Sequence, residues 1–321
     1  MVHGAEGKTT VRSRPDVNIS GKDGVTPLML ACIHGNEEMA SLLVQHGAHV
    51  NSTNRRFQSP LQLAIIGRNL PIFQLLLDHR ANIHHRGEFG NTALHAAASH
   101  GCRHMTQVLL DRGADHGSKN DVVGSVKGRY DLRDGGDPPL HVAAYNNNLN
   151  VVTLLVHRAA DVNARNHRQD TCLHWPCQFG YLSVVKFLIE SGCDVHAREC
   201  QAQTPIFMAV SANQVEIVRL LIASGSSVDV CDCEQVDLFG FVQVGSGDGR
   251  QIEGMLREAK EVEELRNSRG SYKRAVFEPP PSSASSSSSS SSDAAAAVPE
   301  EEEEEEDDSS GSDSSDNDDE D

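Results

Sequence analysis

Thr171-Cys172-Leu173-His174-Trp175-Pro176-Cys177-Gln178-Phe179-Gly180 opens a unit that recurs along the chain. The same opening stands at Thr26-Pro27-Leu28, Ser59-Pro60-Leu61, Thr92-Ala93-Leu94, Pro138-Pro139-Leu140 and Thr204-Pro205-Ile206. Successive starts differ by 33, 33, 46, 33 and 33 residues. A fixed period of that length marks a stacked array, in which each unit is too small to bury its own apolar face and must share it with its neighbours.

The unit reads as two helices and an extended stretch. Thr171 is placed to cap the first helix by accepting a backbone N–H. Pro27, Pro60, Pro139 and Pro205 suit a first helical turn, where a missing N–H costs nothing. Gly35, Gly101 and Gly180 end that helix in the left-handed conformation that a Cβ penalises. In the second helix of the unit, Val184, Val185, Leu188 and Ile189 form one apolar stripe. Gly192 closes it, as Gly47, Gly113 and Gly225 close theirs.

The Thr-Pro-Leu-His-like start at this period resembles the ankyrin repeat, over about Asp16 to Leu256. The resemblance implies an all-α solenoid of helix-turn-helix repeats with β-hairpin fingers. It also implies that His95, His141 and His174 make hydrogen bonds tying neighbouring repeats. Some positions depart from the pattern. Arg68, Asn147 and Asn213 stand where the glycine ending a first helix is expected. Pro176 lies inside the first helix of repeat five, where it is expected to kink that helix at a cost of about 3 kcal/mol. The expected organisation is a partial cap over 1–20, six repeats over 21–236, degenerate capping helices over 237–268 and a disordered tail over 269–321. Asp16-Val17-Asn18 matches His49-Val50-Asn51 and reads as the tail of a further repeat. The last helix is expected over Arg250 to Leu265.

The net charge of −18 is confined to one end: the stretch from Ser282 onward holds 16 acidic residues and no Lys or Arg, so the first 281 residues carry −2. A serine run (Ser285 to Ser292) and an acidic stretch (Glu300 to Asp321) cannot bury enough apolar surface to order themselves. Ser310 and Ser315, each with Asp three residues later, resemble sites for acidophilic kinases. No apolar run approaches the roughly 18 residues of a membrane span, and the first 20 residues lack the apolar core of a secretory signal. The eight cysteines therefore read as reduced thiols, in a cytoplasmic or nuclear protein.

Catalytic and metal-binding signatures are not found. Cys231 and Cys233 have no matching Cys or His pair for a four-ligand zinc site, and Gly245 to Gly249 lacks the lysine of a phosphate loop. The expectation is a non-enzymatic, monomeric interaction module with neither cofactor nor metal. By resemblance its ligand is a protein, bound on a concave face of fingers and inner helices. Arg55, Arg56, Phe57, Arg86, Phe89, Tyr145, Arg165, Arg168, Phe179 and Arg198 are the expected contacts, since arginine and aromatics dominate binding hot spots. Such a row suits an acidic segment, while the acidic tail suits a basic partner. The near-neutral repeat region argues against nucleic acid.

The 46-residue spacing places a 13-residue insertion within 118–137, where Lys127, Arg129, Tyr130 and Arg133 extend the basic row. Leu155, eight residues before Asn163, makes Asn163 resemble a substrate of asparaginyl hydroxylases. The roles this leaves open are an adaptor or scaffold, a sequestering inhibitor of the Rel-inhibitor type, and a ubiquitin-ligase substrate adaptor.

Overall fold

The computed structural model describes residues 16–121, 135–243 and 246–277, with side chains to 266. The chain divides into two units, Met1–Tyr272 and Lys273–Asp321, and the helix pairs lie within the first. Among the described residues the helices come in six pairs: α1 (Pro27–His34) with α2 (Glu37–Gln45), α3 (Pro60–Ile66) with α4 (Leu70–Asp78), α5 (Ala93–Ser99) with α6 (Arg103–Asp111), α7 (Pro139–Tyr145) with α8 (Leu149–His157), α9 (His174–Phe179) with α10 (Leu182–Glu190), and α11 (Pro205–Ser211) with α12 (Val215–Ala223). A short 3-10 segment, Leu238–Phe241, and a long helix, α13 (Gly247–Phe277), follow. Where a seventh α-helical pair was expected, its first member is thus a single 3-10 turn, and its second runs well past Leu265.

First helices pack on first helices and second on second, α1 on α3, α3 on α5 and α5 on α7. The apolar period explains this. Leu28, Leu61, Leu94, Leu140, Leu173 and Ile206, one per repeat, are each at most 1% exposed. Leu43, Leu76, Leu109, Leu155, Leu188 and Leu221 hold the matching place in the second helices and are all buried. Each contributes roughly 2 kcal/mol of burial, and only the adjacent repeats can bury it.

Polar stitches run alongside. The first helix of a repeat leaves carbonyls unpaired at its end, and the next repeat supplies the donor. The Asn69 amide donates to the Cys32 carbonyl at 2.5 Å, the Asn148 amide to Ala98 at 2.7 Å, and the Gln214 amide to Gln178 at 3.3 Å. A second clamp uses Asn18, Asn51 and Asn163. Each amide donates to a carbonyl just beyond the next repeat's second helix and accepts a backbone N–H two residues further on. Asn18 does for the first repeat what Asn51 does for the second, in keeping with Asp16-Val17-Asn18 being the tail of a repeat.

Left-handed backbone recurs in phase. It ends the first helices at Gly35, Arg68, Gly101, Asn147, Gly180 and Asn213, so Arg68 and both asparagines adopt the glycine conformation. Arg80 and Ala159 do so after the second helices. Repeat five differs from expectation. Helix α9 begins at His174, with Leu173 as its N-cap, so Pro176 sits in the first turn and produces no kink. Thr171 does not cap this helix; its hydroxyl accepts the Leu173 N–H instead. Thr26 and Ser59 do cap α1 and α3.

Two of the three histidines tie repeats as the resemblance implied; the third, His174, accepts the Thr171 N–H of its own repeat at 3.0 Å and its Nε2 has no partner, a correction to that expectation. The Thr92 N–H donates to His95 Nδ1 at 3.2 Å, which leaves the ring proton on Nε2 to bond the Asp137 carbonyl at 3.0 Å. His141 reaches the Asp170 carbonyl in the same way, at 3.1 Å. Its Nδ1, however, has no partner, because Pro138 replaces the threonine and carries no N–H. Pro138→Thr should supply the missing donor and a hydroxyl cap. We expect about 1 kcal/mol of added stability, read as a rise of roughly 2–4 °C in the thermal midpoint.

Burial lowers the pKa of His95 and of His174 from 6.5 to about 4. The unfolded chain therefore takes up protons first as the pH falls, and stability from these two rings drains away between about pH 6.5 and 4. Asp170 opposes this, since burial raises its carboxyl to about 6 and its proton returns earlier in the fold. Burial lowers the pKa of the His141 ring as well, so three histidines outweigh Asp170. Thermal midpoints measured from pH 7 to pH 4 should fall, with net uptake on unfolding of fewer than three protons.

Candidate protein-binding surface

The fingers are tight turns. Among the described residues one isolated bridge, Cys231 with Asp237, is the only strand pairing, so the expected hairpins are shorter than strands. Each turn is closed at its base by one backbone bond, Asn54 N–H to Gln58 O, Gly87 to Asn91, Asn166 to Asp170, Glu199 to Gln203 and Asp232 to Val236. A side chain at the first of these positions accepts further N–H groups inside the turn. Asn54, Asn166, Glu199 and Asp232 each take two. Neighbouring fingers join by single backbone bonds, such as Cys200 N–H to Arg168 O at 2.7 Å and Asp121 N–H to Phe89 O at 2.8 Å. The sequence reading missed these closing residues, although their 33-residue phase was available as a signal.

The insertion is spliced into one such turn. Asn120 N–H bonds the Asp137 carbonyl, and Asn120 Oδ1 accepts the Asp137 N–H. The finger base is unchanged, and the extra residues lie between Asp121 and Gly135. Lys127, Arg129, Tyr130 and Arg133 lie outside the described residues, as do Ser310 and Ser315.

The expected basic row has a different disposition from the one its spacing suggested. Lys119 Nζ donates to the Arg165 carbonyl at 2.7 Å. The Arg165 guanidinium donates to the Arg198 carbonyl at 2.8 Å, and Arg198 to the Cys231 carbonyl at 3.1 Å. These side chains sew finger to finger. Arg86 pairs with Asp121 at 2.6 Å. Arg168 lies between the buried carboxylates of Asp170 and Glu199, at 3.7 and 3.6 Å. Arg55 and Arg56 project from the second fingertip, with Arg56 no nearer than 4.0 Å to Glu88.

The aromatics remain open. Phe57 is 66% exposed and holds a left-handed backbone (φ 59°); Phe89, on the next finger, is 37% exposed with φ 56°. The left-handed turn position belongs to the finger itself, since Gln169, Ala202 and Gln235 share it; a bulky phenylalanine is a strained choice there. On the inner helices, Tyr145 and Phe179 meet edge to face at 5.2 Å between ring centroids. Trp175 stacks on Phe179 at 5.9 Å, and Tyr181 leans on it at 5.6 Å. All four rings are half-buried. Trp175 and Tyr181 were absent from the expected contacts; their spacing from Phe179 on and beside α9 was the available clue. Asn163 is exposed, but its amide is held by the Gly192 carbonyl and the Asp194 N–H. Among the described residues no cluster of His, Cys, Asp or Glu could hold a metal, and no helix is long and apolar enough to cross a membrane.

The model for ankyrin repeats in three copies matches residues 7–87, 55–120, 81–166, 119–199 and 140–232. The ankyrin repeat domain of human ASB11 aligns with a TM-score of 0.62 at 21% identity, covering 71% of this chain and 96% of that one. That of Bcl-3, described as a unique member of the IkappaB protein family, aligns at 0.57 with 26% identity, covering 74% and 100%. A B-cell lymphoma 3 protein homolog of Mus musculus is 39% identical over 85 residues, 26% of this chain. The chain spans 16% or less of the length of the curated relatives that it matches. With the repeat matches, the stacked helix pairs and the histidine ties together, this chain belongs to the ankyrin repeat family, whose repeats are protein-interaction modules.

Proposed function

We propose that the chain is an adaptor that holds a protein ligand on its fingers and inner helices through aromatic anchors. The carrying observation is the exposure of Phe57 and Phe89 at strained fingertips, together with the half-open cluster of Tyr145, Trp175, Phe179 and Tyr181. Rigid aromatics lose little entropy on binding and offer large contact area. Arg55 and Arg56 lie beside Phe57 and would steer an acidic segment towards it. Arg86, Arg165, Arg168 and Arg198 support the surface from within.

Two sets of variants separate these roles. Phe57→Ala and Trp175→Ala should each weaken a captured ligand by about thirtyfold, a hot-spot loss of roughly 2 kcal/mol, with the thermal midpoint unchanged for Phe57→Ala. Arg55→Ala with Arg56→Ala should mainly slow association and flatten its salt dependence. Surface plasmon resonance at two ionic strengths reads both. Equal affinity of both aromatic variants and the parent would overturn the reading.

Arg165→Ala should act on the fold. Losing its bond to the Arg198 carbonyl removes about 1 kcal/mol, and a thermal melt checks it. Unchanged stability with lost binding would return Arg165 to the ligand surface.

A second reading, sequestration of a Rel-type transcription factor, rests on the likeness to Bcl-3 over the whole of that domain. Direct titration of the chain with a purified Rel-type dimer tests it; no binding sets it aside.

A further inference from the structure

Repeat five departs from its sisters twice, and the two departures face each other. The second residue of the repeat's opening is Pro27, Pro60, Ala93, Pro139 and Pro205 elsewhere; here it is Cys172. The residue after the left-handed one that closes the second helix is Ala48, Ala81, Ala114, Ala160 and Ser226 elsewhere; here it is Cys193. No other repeat carries cysteine at either position. In the fold both thiols converge on one acceptor: Cys172 Sγ donates to the Val162 carbonyl at 3.3 Å, and Cys193 Sγ to the same oxygen at 3.4 Å. Each thiol also perturbs the titration of the other, as close neighbours do. Both are buried, at 2% and 6% exposure.

We propose that Cys172 and Cys193 form a reversible disulfide when a hydroperoxide reaches repeat five, a modification site built into the seam between repeats four and five. The late start of α9 contributes, because Cys172 lies in a turn and outside the rigid helix. The two thiols are unequal. Cys193 is the less deeply buried, at 6% exposure against 2% for Cys172. The interaction of the pair lowers the pKa of the Cys193 thiol and, with burial, raises that of the Cys172 thiol. Access and thiolate character together assign Cys193 as the nucleophile.

The chemistry balances in two steps. The Cys193 sulfur attacks the terminal oxygen of the hydroperoxide and the O–O bond breaks. The alcohol, or water from hydrogen peroxide, departs with the proton that Cys193 gave up, leaving a sulfenic acid. The Cys172 sulfur then attacks the Cys193 sulfur. The S–O bond breaks, the S–S bond forms, and hydroxide leaves as water with the proton of Cys172. Two electrons pass from the sulfur pair to the peroxide. A small dithiol returns them by exchange. The bond would tie the opening turn of repeat five to its closing loop and restrict the unfolded chain.

The test uses the full chain, reduced and then exposed to stoichiometric hydrogen peroxide. After quenching, alkylation under denaturing conditions and digestion, mass spectrometry should find the Cys172 and Cys193 peptides joined, with the loss of two hydrogens. Dithiothreitol should reverse this. The thermal midpoint should rise on oxidation in the parent and not in Cys172→Ala or Cys193→Ala. Both variants should fold, because alanine occupies these positions as Ala93 and as Ala48, Ala81, Ala114 and Ala160. Dimedone should label Cys193 in Cys172→Ala and leave Cys172 unlabelled in Cys193→Ala. Three results overturn the proposal. One is recovery of both cysteines separately alkylated after the exposed Cys200 and Cys233 have been oxidised. Another is pairing of either with the neighbouring Cys177 in place of each other. The third is dimedone on Cys172 alone.

Discussion

Everything in this chain depends on a leucine that its own repeat cannot cover. Leu61 is buried by the helices before and after it, and the same holds for Leu94, Leu140 and Leu173. Stability is then approximately a sum of nearest-neighbour terms. Hydrogen bonds follow the same rule. The amides of Asn69 and Asn148 reach back to the preceding repeat, and the imidazoles of His95 and His141 reach forward to the following one. The seams are largely buried, so a donor missing there is felt. Pro138 shows this in leaving the His141 ring half satisfied.

The period was legible because it is written in buried residues. Leu28 through Ile206 cannot drift in phase without losing their neighbours, so their spacing reports the architecture directly. The helix ends at Arg68, Asn147 and Asn213 were legible for a related reason: the position demands a left-handed residue whatever the side chain. Pro176 was misread because the helix start was assumed to follow the threonine. A helix can begin three residues later at little cost when its first turn already lacks a proline N–H. The extent of α13 was not legible, since a polar helix carries a weak apolar signal.

The binding surface was only partly legible, and arginine explains why. Spacing places Arg165 and Arg198 at exposed finger positions, and a charged residue there reads as available. A guanidinium has five donors on a long stem, and the next finger offers a free carbonyl within reach. The same residue type thus sews the array together at Arg165 and projects from it at Arg55. Only the position of the neighbouring carbonyl decides, and that is a property of the stack. Aromatics suffer less from this ambiguity. Phe57 has no polar group to satisfy, so its exposure in a strained backbone stands out once the fold is known.

The splice at Asn120 and Asp137 bears on how such an array changes over time. The closing pair sits at the base of the turn and keeps its bonds with the added chain in place. Lengthening a loop whose ends are already held together costs only about 0.6 kcal/mol per doubling. A fingertip is therefore a port at which sequence can be added while the bonds at the base of the turn and the leucine ladder beneath are kept. Length at a fingertip and stability in the stack thus rest on separate residues, and the one can change without disturbing the other.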